Sequence, residues 1–216
     1  MDKYLRESAW LFIMTQGICS LPIDSKNIAL KNGWLCITYI ELSERIRKSV
    51  EEIIQKYEKD GFVFWSKEER TFVICYNSAM PPYVYNWTIM HEIAHIYLKH
   101  VTPQRRILNR VRVPERTLFE KEAQGFVRRV LCPSIVLHDC KAYTVEDIRN
   151  LCFISREAAE NRSNYMAVLL ERNMWRASPL EVDVGRQFQP FINNYLRNKR
   201  KGFNLEIAAE LFPFAA

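Results

Sequence analysis

The sequence has no Cys-x-x-Cys pair: its six cysteines stand singly at positions 19, 36, 75, 132, 140 and 152. A thiolate zinc site or a dithiol redox centre is usually built on such a pair, so neither is expected. No apolar run approaches the ~20 residues that a membrane span needs. The opening residues 1–16 carry Asp2, Arg6 and Glu7 inside an apolar-periodic stretch. That pattern lacks a signal peptide's basic start, unbroken apolar centre and small-residue cleavage site. With no export signal, scattered cysteines read as reduced and mostly buried thiols, and the expected compartment is the cytoplasm. Repeats and low-complexity tracts are missing as well. What is there is globular in composition, 48% hydrophobic and 26% charged, so wholesale disorder is not expected. The net charge of +6 is more often a solvated surface than a nucleic-acid interface.

Hydrophobic periodicity predicts a first helix over 7–18, then a short helix capped by Asp24 or Ser25 and stopped at Gly33. Residues 34–40 read as a strand, and Leu42, Ile46, Val50 and Tyr57 recur at helical spacing through a predicted helix 41–59. Two β-rich runs, 61–65 and 71–76, flank a polar link and predict a hairpin. Pro81-Pro82 opens a helix to about residue 100, and a second begins near Pro114 or Glu115 and stops before Pro133. Further helices are predicted over 145–153 and 155–172. The best linker candidate is 179–187, followed by a helical tail whose Phe188, Phe191, Ile192, Tyr195 and Leu196 should pack on the main domain. The expected organisation is an α+β domain over 1–178, mainly helical with a small sheet, and an accessory tail over 179–216.

His91-Glu92-Ile93-Ala94-His95 fits the pattern H-E-x-x-H. Residues four apart share a helical face, so both imidazoles can reach one ion. With about 100° per residue, His95 stands about 40° and Glu92 about 100° from His91. Nearly all the rest of that helix is apolar: Trp87, Ile89, Met90, Ile93, Ala94, Ile96 and Leu98. A helix this apolar is buried, and a single ionisable stripe on it must line a cleft or bind something. A catalytic zinc site takes three protein ligands and leaves one position open for water. His100, about 180° round the helix, is predicted to point away, near the C-terminal carbonyls. His138, in a predicted loop after Pro133, remains a candidate third ligand. The stronger candidates are carboxylates on the next helix, where Glu122 borders one edge of the buried stripe Phe119, Ala123, Phe126, Val127 and Val130, and Glu120 the other.

Residues 91–100, then Glu122-Ala123-Gln124-Gly125-Phe126-Val127 and Leu131-Cys132-Pro133, resemble the ImmA/IrrE metallopeptidase family. That family pairs H-E-x-x-H-x-x-x-x-H with E-A-x-x-F-A and an apolar-Met-Pro ending. Leu21-Pro22-Ile23-Asp24 and residues 154–162 extend the likeness to about residues 4–172. Val127 for Ala, Cys132 for Met and the charged helix 41–59 depart from the pattern without touching a site residue. The resemblance implies a zincin-like fold with the small sheet beside the H-E-x-x-H helix, Zn2+ held by His91, His95 and Glu122, and Glu92 as general base. It also implies hydrolysis of a protein substrate, a helix-turn-helix repressor of a mobile element or stress regulon. Strand 71–76 is expected to be the edge that pairs with substrate, and Tyr143, His138 or Lys99 to stabilise an oxyanion. The alternative is a non-catalytic, metal-scaffolded regulatory or DNA-binding module. The helix pair 145–172, spaced like a helix-turn-helix, and the basic segment 197–201 motivate it, whereas an intact Glu92 favours the enzyme.

Overall fold

The computed structural model describes residues 2–108 and 112–200. The chain gathers into two compact units, one of residues 24–125 and one of the residues before them together with those from Phe126 onward. Among the described residues no helix is long and apolar enough to cross a membrane. The described elements are mainly helices, with one small three-stranded sheet, which makes this an α+β fold.

The chain opens with α1 (Asp2–Thr15), which belongs to the second unit. The unit of residues 24–125 begins with α2 (Ser25–Lys31), capped by the Asp24 side chain on the Asn27 amide. Strand β1 (Leu35–Thr38) runs into α3 (Tyr39–Ile46), and α4 (Val50–Lys56) follows. The single helix expected over 41–59 is therefore two. Thr38 with Glu41 and Ser49 with Glu52 each close a reciprocal capping box, and Arg47 between them is left-handed at φ 54°. Each box satisfies two amides that a continuous helix could not spare, so two starts outcompete one long run.

Strands β2 (Gly61–Ser66) and β3 (Thr71–Tyr76) form the expected hairpin, in antiparallel register from Gly61 opposite Tyr76 to Ser66 opposite Thr71. Strand β1 pairs with β3 in parallel, giving the order β1-β3-β2. The strand expected at the sheet's edge, 71–76, is thus the central one. β2 is an edge, partly covered where Phe64 bridges Ile107 and the Trp65 amide donates to the Arg106 carbonyl at 3.0 Å. Ile37, Tyr39, Leu42, Ile53, Phe62, Val73 and Cys75 make one buried cluster beneath the sheet and the α3–α4 pair. Helix α5 (Pro82–Tyr97) starts with proline in its first turn, where the missing amide costs nothing. Asn86 on α5 accepts from the Ser25 amide at 3.0 Å, which fixes α2 to it. At Gly61 a Cβ would stand 2.4 Å from Thr88 Cγ2 and 2.9 Å from the Cys75 carbonyl oxygen, so only glycine lets β2 lie this close to α5.

Helix α6 (Val113–Leu131) carries residues of both units. The second unit continues with α7 (Ser134–Asp139), α8 (Val145–Cys152), α9 (Arg156–Glu171), α10 (Pro179–Gln187) and α11 (Gln189–Arg200). The expected linker 179–187 is helix α10. Its Val184 is fully buried, Gly185 lies against Ile135 of α7, and Gln187 donates to the Ile13 and Ile18 carbonyls. Phe188, Ile192 and Tyr195 are buried, and Phe191 and Leu196 half-buried, within the same unit. Arg162 of α9, itself buried, donates to the Arg128 carbonyl at 2.8 Å and to that of Cys132, closing the C-terminal end of α6. Residues 201–216 of the expected tail, Lys201 among them, lie outside the described residues.

Candidate metal centre

Helix α5 buries Ile89, Met90, Ile93, Ala94 and Ile96, and this burial drags its ionisable stripe inward with them. Glu92 is 6% and His95 1% exposed. The Nε2 atoms of His91 and His95 stand 3.0 Å apart. The third donor beside them is a carboxylate of α6: Glu120 Oε2 lies 3.0 Å from His91 Nε2 and 3.6 Å from His95 Nε2. Tetrahedral ligands about 2.0–2.2 Å from a zinc ion stand about 3.3 Å from one another, so these spacings suit one ion. Two imidazoles and one carboxylate are also a donor set common in catalytic zinc sites.

Glu122, the donor the resemblance pointed to, is turned elsewhere: its Oε2 bonds His100 Nε2 at 3.0 Å. The two carboxylates flank the same buried stripe of α6 from opposite edges, and α5 lies along the Glu120 edge. His100 also departs from its expected direction. The helix ends at Tyr97, Lys99 turns left-handed at φ 61°, and the His100 amide donates back to the His95 carbonyl at 2.8 Å. The His100 ring thereby folds under α5, 3% exposed, with its Nδ1 3.0 Å from His95 Nδ1. No glycine or asparagine marks that turn, so helical periodicity carries straight past it.

A cleft of about 470 Å³ opens over the cluster, bordered by Gly61, Phe62 and Val63 of β2, by Trp87, His91, Glu92 and His95 of α5, and by Ile107, Leu108 and Glu120. Burial pushes the Glu92 carboxyl up to about 7, against the pull of the His91 charge and of a backbone hydrogen bond at Val63. A carboxyl poised there can accept a proton at neutral pH and return it. Burial also pushes His95 down to about 4, which favours the neutral, metal-ligating form. For Glu120, burial opposes ionisation, but hydrogen bonds with His91 and His95 outweigh it and hold the carboxyl far below the usual range. Burial likewise disfavours a charged His91, and its bond to Glu120 more than compensates. His138 and Tyr143 hydrogen-bond each other at 3.0 Å within the other unit, where His138 also stacks on Trp175 at 3.9 Å. Lys99 occupies the turn after α5.

No curated protein matches the chain. Among protein families, residues 33–168 match Peptidase_M78, the IrrE N-terminal-like domain. The matched stretch contains α5, Glu120 and Glu122, and it spans more than half of the 216 residues. The chain belongs to the IrrE N-terminal-like peptidase family.

Proposed function

We propose that the protein is a cytoplasmic zinc-dependent endopeptidase in which His91, His95 and Glu120 hold the ion and Glu92 is the general base. The observation that carries this reading is the convergence of those three donors, 3.0–3.6 Å apart, beside a buried carboxyl in an open cleft. A divalent ion bound there would acidify a water towards neutrality and polarise a peptide carbonyl. Glu92 would accept a proton from a water attacking the carbonyl carbon, and would hand it to the leaving amine as the C–N bond breaks. Its burial supports both halves, since a carboxyl near neutrality releases what it accepts. An extended peptide in the cleft would run beside Gly61–Val63 of β2, beyond the bridge at Phe64, in the strand-addition mode. By the family likeness the substrate is a helix-turn-helix repressor, cleaved so that its target genes are released.

The test incubates the protein with zinc and such a repressor, most informatively one encoded beside it, and follows fragments by gel and mass spectrometry. Glu92→Gln preserves volume and removes the base, so cleavage should fall about 10²–10⁴-fold with metal content retained. Glu120→Ala should lose the metal itself. Repressor release by Glu92→Gln at the wild-type level would favour a binding module over an enzyme.

A further inference from the structure

The metal cluster is surrounded by two groups that the proposed reaction does not use, His100 and Glu122. We propose that they form a relay which fixes the tautomer of His95: the Glu122 carboxylate orders the proton on His100, and His100 in turn orders the proton on His95. The inference rests on the reading of His95 as a metal ligand.

The proton positions follow from what each atom can do. An ionised carboxylate only accepts, so His100 Nε2, 3.0 Å from Glu122 Oε2, carries its hydrogen. A neutral imidazole has one N–H, which leaves His100 Nδ1 a bare acceptor. His95 Nδ1 lies 3.0 Å from that acceptor and must donate. His95 Nε2 is then left with its lone pair, and that atom is the one facing His91 Nε2 and Glu120. Both imidazoles of the chain are enclosed, His95 1% and His100 3% exposed, so water does not offer them competing partners, and Glu122 is half-buried. The His100 ring is also held in plane, stacked on Phe119 at 4.2 Å and 11°, with the Arg105 guanidinium on the same Phe119 ring at 5.1 Å. His91 has no such support, since its Nδ1 is buried without a hydrogen-bond partner.

Two glutamates two residues apart thus have divided tasks. Glu120 gives its charge directly to the ion site, while Glu122 gives its charge through two imidazoles, orienting His95 and raising its basicity as a ligand. In this reading the pair His100–Glu122 positions a ligand and touches no substrate.

The experiment records long-range ¹⁵N–¹H correlations of the histidine rings in the metal-free and the zinc-loaded protein, and zinc affinity by chelator competition. His95 should carry its proton on Nδ1 and His100 on Nε2 in both states. His100→Phe keeps a flat ring for the Phe119 stack but cannot accept, and zinc affinity should fall about 10–100-fold. Glu122→Leu removes only the far carboxylate, so a mixed His95 tautomer and a smaller fall in affinity are expected. A wild-type His95 bearing its proton on Nε2 in the metal-free protein overturns the relay. So does a Glu122→Leu protein that melts as wild type, binds zinc as tightly and keeps a single His95 tautomer. Because that variant stands on its own, failure of His100→Phe to fold leaves the question answerable. Zinc binding that survives Glu120→Ala would instead sink the ligand assignment, leaving the tautomers of the metal-free protein as measured.

Discussion

Both units bury charged or ionisable side chains, but they spend them differently. In the unit of residues 24–125, His95 and His100 hydrogen-bond other ionisable groups, and Glu92, which takes a backbone hydrogen bond at Val63, lines an open cleft beside His91 and His95. In the other unit, buried Arg162 donates to the Arg128 carbonyl in the last turn of α6 and to the Cys132 carbonyl just after it, and buried Glu181 accepts from the Ala177 amide just before α10. The first arrangement tunes side chains, whereas the second terminates helices. Burial alone therefore does not mark a functional group; the partner does. A buried charge spent on the backbone at a helix end is a cap, and a buried charge at a cavity wall among other titratable side chains belongs to a site.

The sharpest way to break this contrast is to remove the end of the helical unit. Truncation after Ser178 deletes buried Val184, Phe188 and Ile192, each worth about 1.5–3 kcal/mol. A loss of roughly 5 kcal/mol or more should appear as a collapsed or much lower thermal melt, and an unchanged melt would show that the tail is an ornament. Next comes Arg162→Met, which strands the buried Cys132 carbonyl and the part-buried Arg128 carbonyl and should cost about 3 kcal/mol by denaturant titration. If the cap reading holds, zinc affinity of the folded protein stays at the wild-type value. A drop in affinity would blur the distinction between cap and site.

Glu92 should behave in the opposite way, because its burial is unfavourable to the fold. Its folded carboxyl sits at about 7 against an ordinary 4.5, so the folded state binds the proton more tightly than the unfolded one. Stability of the metal-free protein therefore declines as pH rises from about 4.5 to about 7. Glu92→Gln removes that slope and should leave the protein about 3 kcal/mol more stable at pH 8, with no such gain below pH 4. Equal pH slopes in the two proteins would mean that Glu92 is solvated in solution. Smallest of all is Arg156→Ala, which breaks an exposed pair with Glu160 at 3.0 Å. Its effect on the melt should stay under about 0.5 kcal/mol, which calibrates what a charge without burial contributes.

The sequence displays most of this architecture, but unevenly. Helix α5 was legible because its residues point one way: apolar side chains nearly all round a short ionisable stripe leave little choice of structure or use. Helices α8 and α9 were legible through Thr144 and Ser155, whose side chains cap Asp147 and Ala158 as expected for such residues before apolar-periodic runs. The break between α3 and α4 was written in two capping boxes, but the apolar repeat runs through it and masked them. Helix α10 hid behind Gly185, whose presence in a helix reflects close packing on α7 rather than a linker. The carboxylate of the cluster was legible only as one of two. Glu120 and Glu122 border one stripe symmetrically, and the choice between them is made by the placement of α5, which no periodicity encodes. His100 was lost for a related reason, because a left-handed lysine reverses the chain without a sequence signal.

The absent side chain at Gly61 works as a gauge. Two hydrogens where other residues carry carbon set the gap between the sheet's edge and the helix that holds Glu92, because the next-smallest residue would already overlap Thr88. Strand β2 and α5 both line the same cleft. The spacing of these two walls of the cleft is thus held to less than one methyl group, by a residue that contributes no chemistry of its own.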